Sequence, residues 1–189
     1  ECFASCWDLE AVDFIEQFNP KYHKIASALL NHMELLEKIA KLGKHTFIST
    51  GMSTIEEVTK AVLLFKRYGC SFELMHCNSA YPCDDEDLNL SMITYLRKLY
   101  ACNVGYSCHS PSIMYAPMAV ALGATSIEKH ITLNRTMYGS DQAASVEVMG
   151  FYKMVDYIRS AEKAIGDGIK KITSKEEVVR KKLWRTKDY

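Results

Sequence analysis

Residues 46–78, TFISTGMSTIEEVTKAVLLFKRYGCSFELMHCN, decide the fold. The first four and the last seven residues of this stretch are apolar or β-branched runs with the length of buried strands. Between them, apolar residues recur at the spacing of one helical face: Ile55, Val58, Val62 and Phe65. Ser53 and Glu56 match a capping box, and Gly69 supplies a stop, so we predict one helix between them. A strand, a helix and a second strand in this order indicate parallel neighbours joined by a right-handed crossover.

The same alternation runs through most of the chain. Helical patterns of about 10 to 16 residues separate short strand-like runs. The six predicted strands are 2–5, 22–27, 46–49, 72–78, 103–107 and 125–130. One further helix is predicted to open with Asn31 and Glu34 and to end at Gly43. A last helix is predicted to carry the apolar residues Phe151, Met154, Val155, Ile158, Ala161 and Ile165 and to close at Gly166.

Repeated βα units are typical of both an open doubly wound sheet and a (β/α)8 barrel. The chain contains neither G-x-G-x-x-G nor G-x-x-x-x-G-K, so the nucleotide-binding open sheets lose their main support. We therefore predict an α/β fold of the TIM-barrel type, as a fragment with about six of the eight βα units, because a complete barrel has about 250 residues. Residues 1–169 are predicted to form this partial barrel, and 170–189 a basic C-terminal segment.

Composition narrows the classes of function. The 189 residues are 48% hydrophobic and 24% charged, which excludes disorder as a description of the whole chain. The formal net charge is zero and the basic groups concentrate in the tail, so a nucleic-acid partner is not expected. No apolar run reaches the roughly 20 residues of a membrane span, so no membrane partner is expected either. Seven cysteines without a C-x-x-C pair indicate buried free thiols in a reducing cytoplasm rather than a disulfide framework or a structural zinc site.

Polar residues end nearly every predicted strand. The strand ends are Ser5, Ser27, Ser49-Thr50-Gly51, Asn78-Ser79, Ser107-Cys108-His109 and Lys129-His130. Because the carboxyl ends of barrel strands share one face, we predict a polar ligand site there. Lys24 adds one cation, which suits a phosphate or carboxylate. The two histidines could hold a divalent metal, although a buried structural histidine is the alternative for each. Glu128 shares the strand face of His130, and Lys129 points away and is expected to be structural.

Six motifs together resemble the sialic acid synthase family, which comprises N-acetylneuraminate synthase and its legionaminic and pseudaminic acid relatives. They are KIAS (24–27), STGMS (49–53), HCNSAYP (76–82), GYSCHS (105–110), IEKHITL (127–133) and GSDQAAS (139–145). Their order and spacing extend the resemblance over essentially the whole chain. The residues 28–30 after KIAS lack the carboxylate that many members carry there, which leaves the acceptor sugar open.

The resemblance implies a barrel enzyme that condenses phosphoenolpyruvate with an N-acylated amino sugar such as N-acetylmannosamine. The product is a nine-carbon 2-keto-3-deoxy acid, and phosphate is released. His109 and His130 are implied to be catalytic and to hold a divalent metal, manganese or alternatively magnesium or cobalt. The implied substrate-binding residues are Lys24, Ser27, Ser49, Asn78, Ser107, Ser5, Tyr81 and Asp141.

The family also implies a longer, homodimeric protein. Two further βα units are expected before this chain, and an antifreeze-like cap domain is expected after the basic segment 170–189. On that expectation the 189 residues alone are inactive. The alternative from another class is a non-catalytic, truncated barrel that binds a ligand or a partner without turnover.

Overall fold

Five parallel strands form the main sheet of the computed structural model, which describes residues 2–184. The strands are β1 (Tyr22–Ile25), β2 (His45–Ser49), β3 (Phe72–His76), β4 (Val104–Cys108) and β5 (Ile127–Lys129). They lie side by side in the order of the sequence. In the register, Ile48 lies opposite Leu74 and Ser107 opposite Glu128. This order is the one that repeated right-handed βα crossovers produce.

The parallel ladder extends beyond both edges of this sheet. On one side Ser5 forms a single bridge with Lys24, so the predicted strand at 2–5 is reduced to one paired residue. On the other side β6 (Ile131–Thr132) follows β5 directly after His130 and pairs in parallel with β7 (Val146–Glu147). The sequence did not indicate this two-residue pair, because runs so short carry no measurable period.

The sheet is strongly curled. Lys24 on β1 contacts Glu128 on β5, with 2.7 Å between Nζ and Oε2. In a flat sheet these two strands would be about 19 Å apart, which is beyond the combined reach of the two side chains. The five strands therefore form part of a barrel wall, and the prediction of a partial (β/α)8 barrel is confirmed. Many outward side chains of the strands are apolar and buried beneath the helices, as at Ile25, Ile48 and Leu74.

Seven helices accompany the strands within the described residues. They are α1 (Leu9–Glu16), α2 (Met33–Lys41), α3 (Ile55–Arg67), α4 (Ser91–Tyr100), α5 (Tyr115–Ala121), α6 (Val148–Ile165) and α7 (Ser174–Leu183). Short 3₁₀ segments lie at Ser27–Leu29, Asp85–Asp87 and Gln142–Ala144. Val58, Val62 and Phe65 of α3 are buried, as their spacing predicts. Between residues 2 and 184, no helix combines the length and the apolar character needed to cross a membrane.

The capping box of α3 lies one residue later than predicted. Thr54 and Glu57 form it: the Glu57 amide donates to the Thr54 hydroxyl and the Thr54 amide to the Glu57 carboxylate. The sequence S-T-I-E-E fits the motif in two registers, so the prediction of Ser53 with Glu56 was wrong by one position. The Ser53 hydroxyl instead donates to the Gly51 carbonyl.

The start of α2 also differs from its prediction. His32 caps the helix, with its Nδ1 accepting from the Leu35 amide, and the Asn31 amide group donates to Glu57 instead. The glycine stops are confirmed, since Gly43, Gly69 and Gly166 all have positive φ, where a side chain is disfavoured.

The predictions for the cysteines, Lys129 and the basic segment can also be compared with the structure. All seven cysteines are free thiols, and five are buried, whereas Cys102 is partly buried and Cys2 is exposed. Lys129 is structural as predicted, because its Nζ donates to the Cys108 carbonyl at 3.2 Å and the Ala144 carbonyl at 3.1 Å. The basic segment contains the exposed helix α7. Its final residues, 185–189, lie outside the described residues.

Candidate active site

A cavity of about 350 Å³ opens at the carboxyl ends of β1, β2, β4 and β5. Seven of the predicted site residues line it: Lys24, Ser27, Ser49, Tyr81, Ser107, His109 and His130. These seven residues therefore border one concave site, and their roles in it stay predictions. Glu128, Ser79 and Trp7 also line the cavity. Ser79 was among the predicted strand-end residues, but none of the three was assigned a substrate or metal role.

A charged network crosses the floor of this cavity. The Lys24 ammonium donates to both carboxylate oxygens of Glu128, at 2.9 and 2.7 Å, and the Ser107 hydroxyl donates to Glu128 Oε1 at 2.7 Å. Burial opposes ionisation of Glu128, but the charge of Lys24 and the hydrogen bonds from Lys24 and Ser107 outweigh it, so the pKa of this carboxyl lies below its ordinary value. The cation expected for an anionic ligand is therefore already paired within the chain.

The hydrogen bonds of His109 fix its tautomer. Its Nδ1 lies 2.5 Å from the Asn78 carbonyl oxygen, and its Nε2 lies 3.0 Å from the Tyr81 hydroxyl. A carbonyl only accepts, so the proton is on Nδ1 and Nε2 presents its lone pair. Burial lowers the pKa of His109, and this effect outweighs the opposing hydrogen bond to the Asn78 carbonyl. The imidazole is neutral near pH 7, which is the form that binds metals.

The two histidines fit a metal site with open positions. The ring of His130 lies 5.3 Å from that of His109, measured between centroids, and His130 Nδ1 is 3.6 Å from Asp141 Oδ2. Across residues 2–184, no three side chains of His, Cys, Asp or Glu converge as a metal-binding group. The imidazole–carbonyl contact of His109 is the outer hydrogen bond typical of metal-binding histidines. His109 and His130 could thus supply two ligands and leave the other positions to substrate or water.

A glycine allows the hydroxyls at one wall of the cavity to converge. A Cβ on Gly51 would lie 2.2 Å from Ser79 Oγ and 2.8 Å from Ser27 Oγ. The Gly51 amide also donates to Ser27 Oγ at 3.1 Å. Any side chain at this position would displace both oxygens, so the close approach depends on glycine.

Three predicted residues lie outside the lining of the cavity. The Asn78 side chain donates to the Asp87 carbonyl and accepts from the Ala80 amide, so it contributes its carbonyl to the site and Ser79 takes the place beside Ser27. Ser5 contributes the backbone bridge to Lys24. Asp141 stands next to His130 at the rim and is only half-buried. The substrate-binding roles of these residues stay predictions.

Glu128 and Ser79 could have been found from signals in the sequence. Glu128 lies on β5 two residues before His130, which directly follows the strand, and this spacing predicts that both side chains point to the same face of the sheet. Ser79 adjoins Asn78 in the loop after β3, and the choice between neighbours in a loop needs its backbone path. Trp7 carried no comparable signal, because it precedes α1 in an irregular segment.

The chain matches a known protein family over most of its length. The model of the NeuB family matches residues 1–170. The N,N'-diacetyllegionaminic acid synthase of Campylobacter jejuni is 38% identical over 189 residues, which cover 96% of this chain and 57% of that protein. Human N-acetylneuraminate-9-phosphate synthase is 36% identical over 184 residues, which cover 97% of this chain and 51% of that protein.

A solved structure agrees closely in fold. The N-acetylneuraminic acid synthetase of Leptospira borgpetersenii, crystallised in complex with citrate, superimposes with a TM-score of 0.87 at 34% identity. The alignment covers 97% of this chain and 66% of that chain. The chain spans about half the length of the curated relatives it matches.

Proposed function

Because the chain belongs to the NeuB family, we propose that the protein is a sialic-acid-type synthase. The proposed reaction condenses phosphoenolpyruvate and one water molecule with an N-acylated amino sugar, N-acetylmannosamine or a relative, and releases phosphate. The product is a nine-carbon 2-keto-3-deoxy acid. The observation that carries the proposal is the convergence of Lys24, Ser107 and the two histidines on one cavity.

The hydroxyl and ammonium groups suit the anionic substrate. Ser27, Ser49 and Ser107 supply neutral donors, and Lys24 supplies one cation, for the phosphate and carboxylate groups of phosphoenolpyruvate. Held by several donors at once, the enol would keep its orientation while the new carbon–carbon bond forms, and such positioning accounts for much of the acceleration in two-substrate reactions.

The histidines suit a divalent metal, which we propose is manganese, with magnesium or cobalt as alternatives. His109 presents an unprotonated Nε2, and its ring is held through Nδ1 by the Asn78 carbonyl. His130 is the second proposed ligand, with Asp141 beside it at the rim. When bound, the metal would supply Lewis-acid polarisation of the sugar carbonyl. Tyr81 contacts His109 and lies 5.3 Å from the ring of His130, measured between centroids, which supports its proposed role in binding the acceptor sugar.

The proposal is tested by incubating the full-length protein with phosphoenolpyruvate, Mn²⁺ and a panel of N-acylated amino sugars. We expect phosphate release that depends on both the acceptor and the metal, and a product whose mass is that of the nine-carbon acid. The double variant His109→Ala, His130→Ala should lose Mn²⁺ affinity and turnover together. If the protein binds phosphoenolpyruvate but turns over none of the acceptors with any of the metals, the proposed synthase activity is refuted. That result would favour the non-catalytic barrel that binds a ligand.

A further inference from the structure

We infer that Glu128 is a positioning residue that acts as an internal competitor for anions at Lys24 and Ser107. It holds both donors in place across the barrel and limits how tightly the site binds phosphate groups. The inference rests on the proposed function, which assigns those two donors to an anionic substrate and its phosphate product.

The contacts of Glu128 coincide with the donors that an anion would need. Both of its carboxylate oxygens accept from Lys24, and Oε1 also accepts from Ser107. A phosphate would compete with the Glu128 carboxylate for the single hydroxyl proton of Ser107 and for the ammonium protons of Lys24. An arriving anion must therefore take over part of the hydrogen bonding that Glu128 already satisfies.

The charge of the cavity supports this competition. Among the described residues that line it, Lys24 carries the one formal positive charge and Glu128 the one formal negative charge, with histidines counted as neutral. Asp141 adds a second carboxylate next to His130 at the rim. The chain's own side chains therefore provide no net positive charge for an anion, and Glu128 is the group that cancels Lys24.

The function of such a competitor follows from the reaction. A synthase of this type must bind a phosphate ester and then release free phosphate from the same donors. A carboxylate that reclaims Lys24 and Ser107 as phosphate leaves stabilises the emptied site and opposes product inhibition. A purely structural ion pair between β1 and β5 would affect the stability of the barrel but would not limit anion affinity.

The experiment measures the affinity of the full-length protein for inorganic phosphate by isothermal titration calorimetry in EDTA. Glu128→Gln keeps the shape and removes the charge, and Glu128→Asp keeps the charge as the matched control. We expect Glu128→Gln to bind phosphate about tenfold more tightly, because the negative charge that contacts the same two donors is removed. Glu128→Asp should remain within about twofold of wild type. Adding Lys24→Met to the glutamine variant should abolish the gain.

The outcomes separate the inference from the proposed function. An unchanged or weaker phosphate affinity in Glu128→Gln, or a gain that survives Lys24→Met, overturns the inference. If the glutamine variant does not fold, as judged by circular dichroism, Glu128→Ala takes its place with the same expected gain. If phosphate binds more tightly as expected but no acceptor yields a product, the inference stands and the proposed reaction fails.

Discussion

Gly51→Ala is expected to weaken substrate binding far more than it weakens the fold. The new Cβ would lie 2.2 Å from Ser79 Oγ and 2.8 Å from Ser27 Oγ, closer than carbon and oxygen can approach without movement. Both serines can relieve the overlap by rotating about χ1, and their hydroxyls then turn from the positions they hold at the cavity. Rotation of Ser27 also breaks its hydrogen bond from the amide of residue 51.

The two costs of this substitution differ in size. Loss of one hydrogen bond within the folded chain costs about 1 kcal/mol of unfolding free energy. Loss of a hydroxyl that donates to a charged ligand costs about 1.5–3 kcal/mol, which is about a ten- to hundredfold increase in the dissociation constant. We therefore expect a modest decrease in stability and a much larger decrease in affinity for phosphoenolpyruvate.

Calorimetric titration of the full-length protein with phosphoenolpyruvate, together with urea unfolding, separates the two effects. Gly43→Ala is the control, because Gly43 has φ of +70° and open space around its Cβ position, so strain alone acts there. It should lose about 1 kcal/mol of stability without a change in ligand affinity. A folded Gly51→Ala protein that binds phosphoenolpyruvate within twofold of wild type would refute the assignment of the hydroxyls to the substrate.

Three further predictions concern the barrel interior, the metal and pH. Gly105→Ala should lower the free energy of unfolding in urea by about 2 kcal/mol, because its Cβ would lie 2.1 Å from Ser126 Oγ. Adding Ser126→Ala should recover part of this loss. If the effects of the two substitutions on the unfolding free energy simply add, the proposed overlap is contradicted. Tyr81→Phe should bind Mn²⁺ about three- to tenfold more tightly, since it removes the hydroxyl that contacts His109 Nε2; electron paramagnetic resonance of free Mn²⁺ measures this, and weaker binding would contradict it. Burial lowers the pKa of His76, so this histidine becomes protonated in the unfolded chain at a pH where it is still neutral in the folded chain. The free energy of unfolding therefore falls as pH drops below about 6.5. His76→Gln should remove up to about 1.4 kcal/mol per pH unit of this slope, and an unchanged slope in urea unfolding would contradict the assignment.

The sequence predicted those parts of the structure that depend on local pattern. The apolar face of α3 and the glycine stops follow from periodicity and backbone preference, and the parallel pairing of successive strands follows from the crossover rule; the structure confirms all three. The convergence of Lys24, Ser107 and His109 on one face was also predictable, because parallel strands bring their carboxyl ends together.

The features that were missed depend on contacts between distant parts of the chain or on the register of a loop. The pairing of Lys24 with Glu128 joins residues 104 positions apart, and no local pattern announces it. The exchange of Ser53 for Thr54 as the cap, and of Asn78 for Ser79 in the cavity, are one-residue shifts. In both cases two adjacent polar residues suit the position, and only the backbone path selects between them.

Both ring nitrogens of His109 are contacted by the loop that follows β3, through the Asn78 carbonyl and the Tyr81 hydroxyl. The two contacts differ in kind, because the carbonyl belongs to the backbone and the phenol is a side chain that can rotate. The backbone contact at Nδ1 therefore holds the imidazole in one orientation, and the side-chain contact at Nε2 can be replaced by another partner. A ligand that replaces the phenol finds the ring already oriented, so the exchange requires no new ordering of the histidine. The same loop thus determines that a ligand approaches His109 at Nε2, and it does not select which kind of ligand atom binds there.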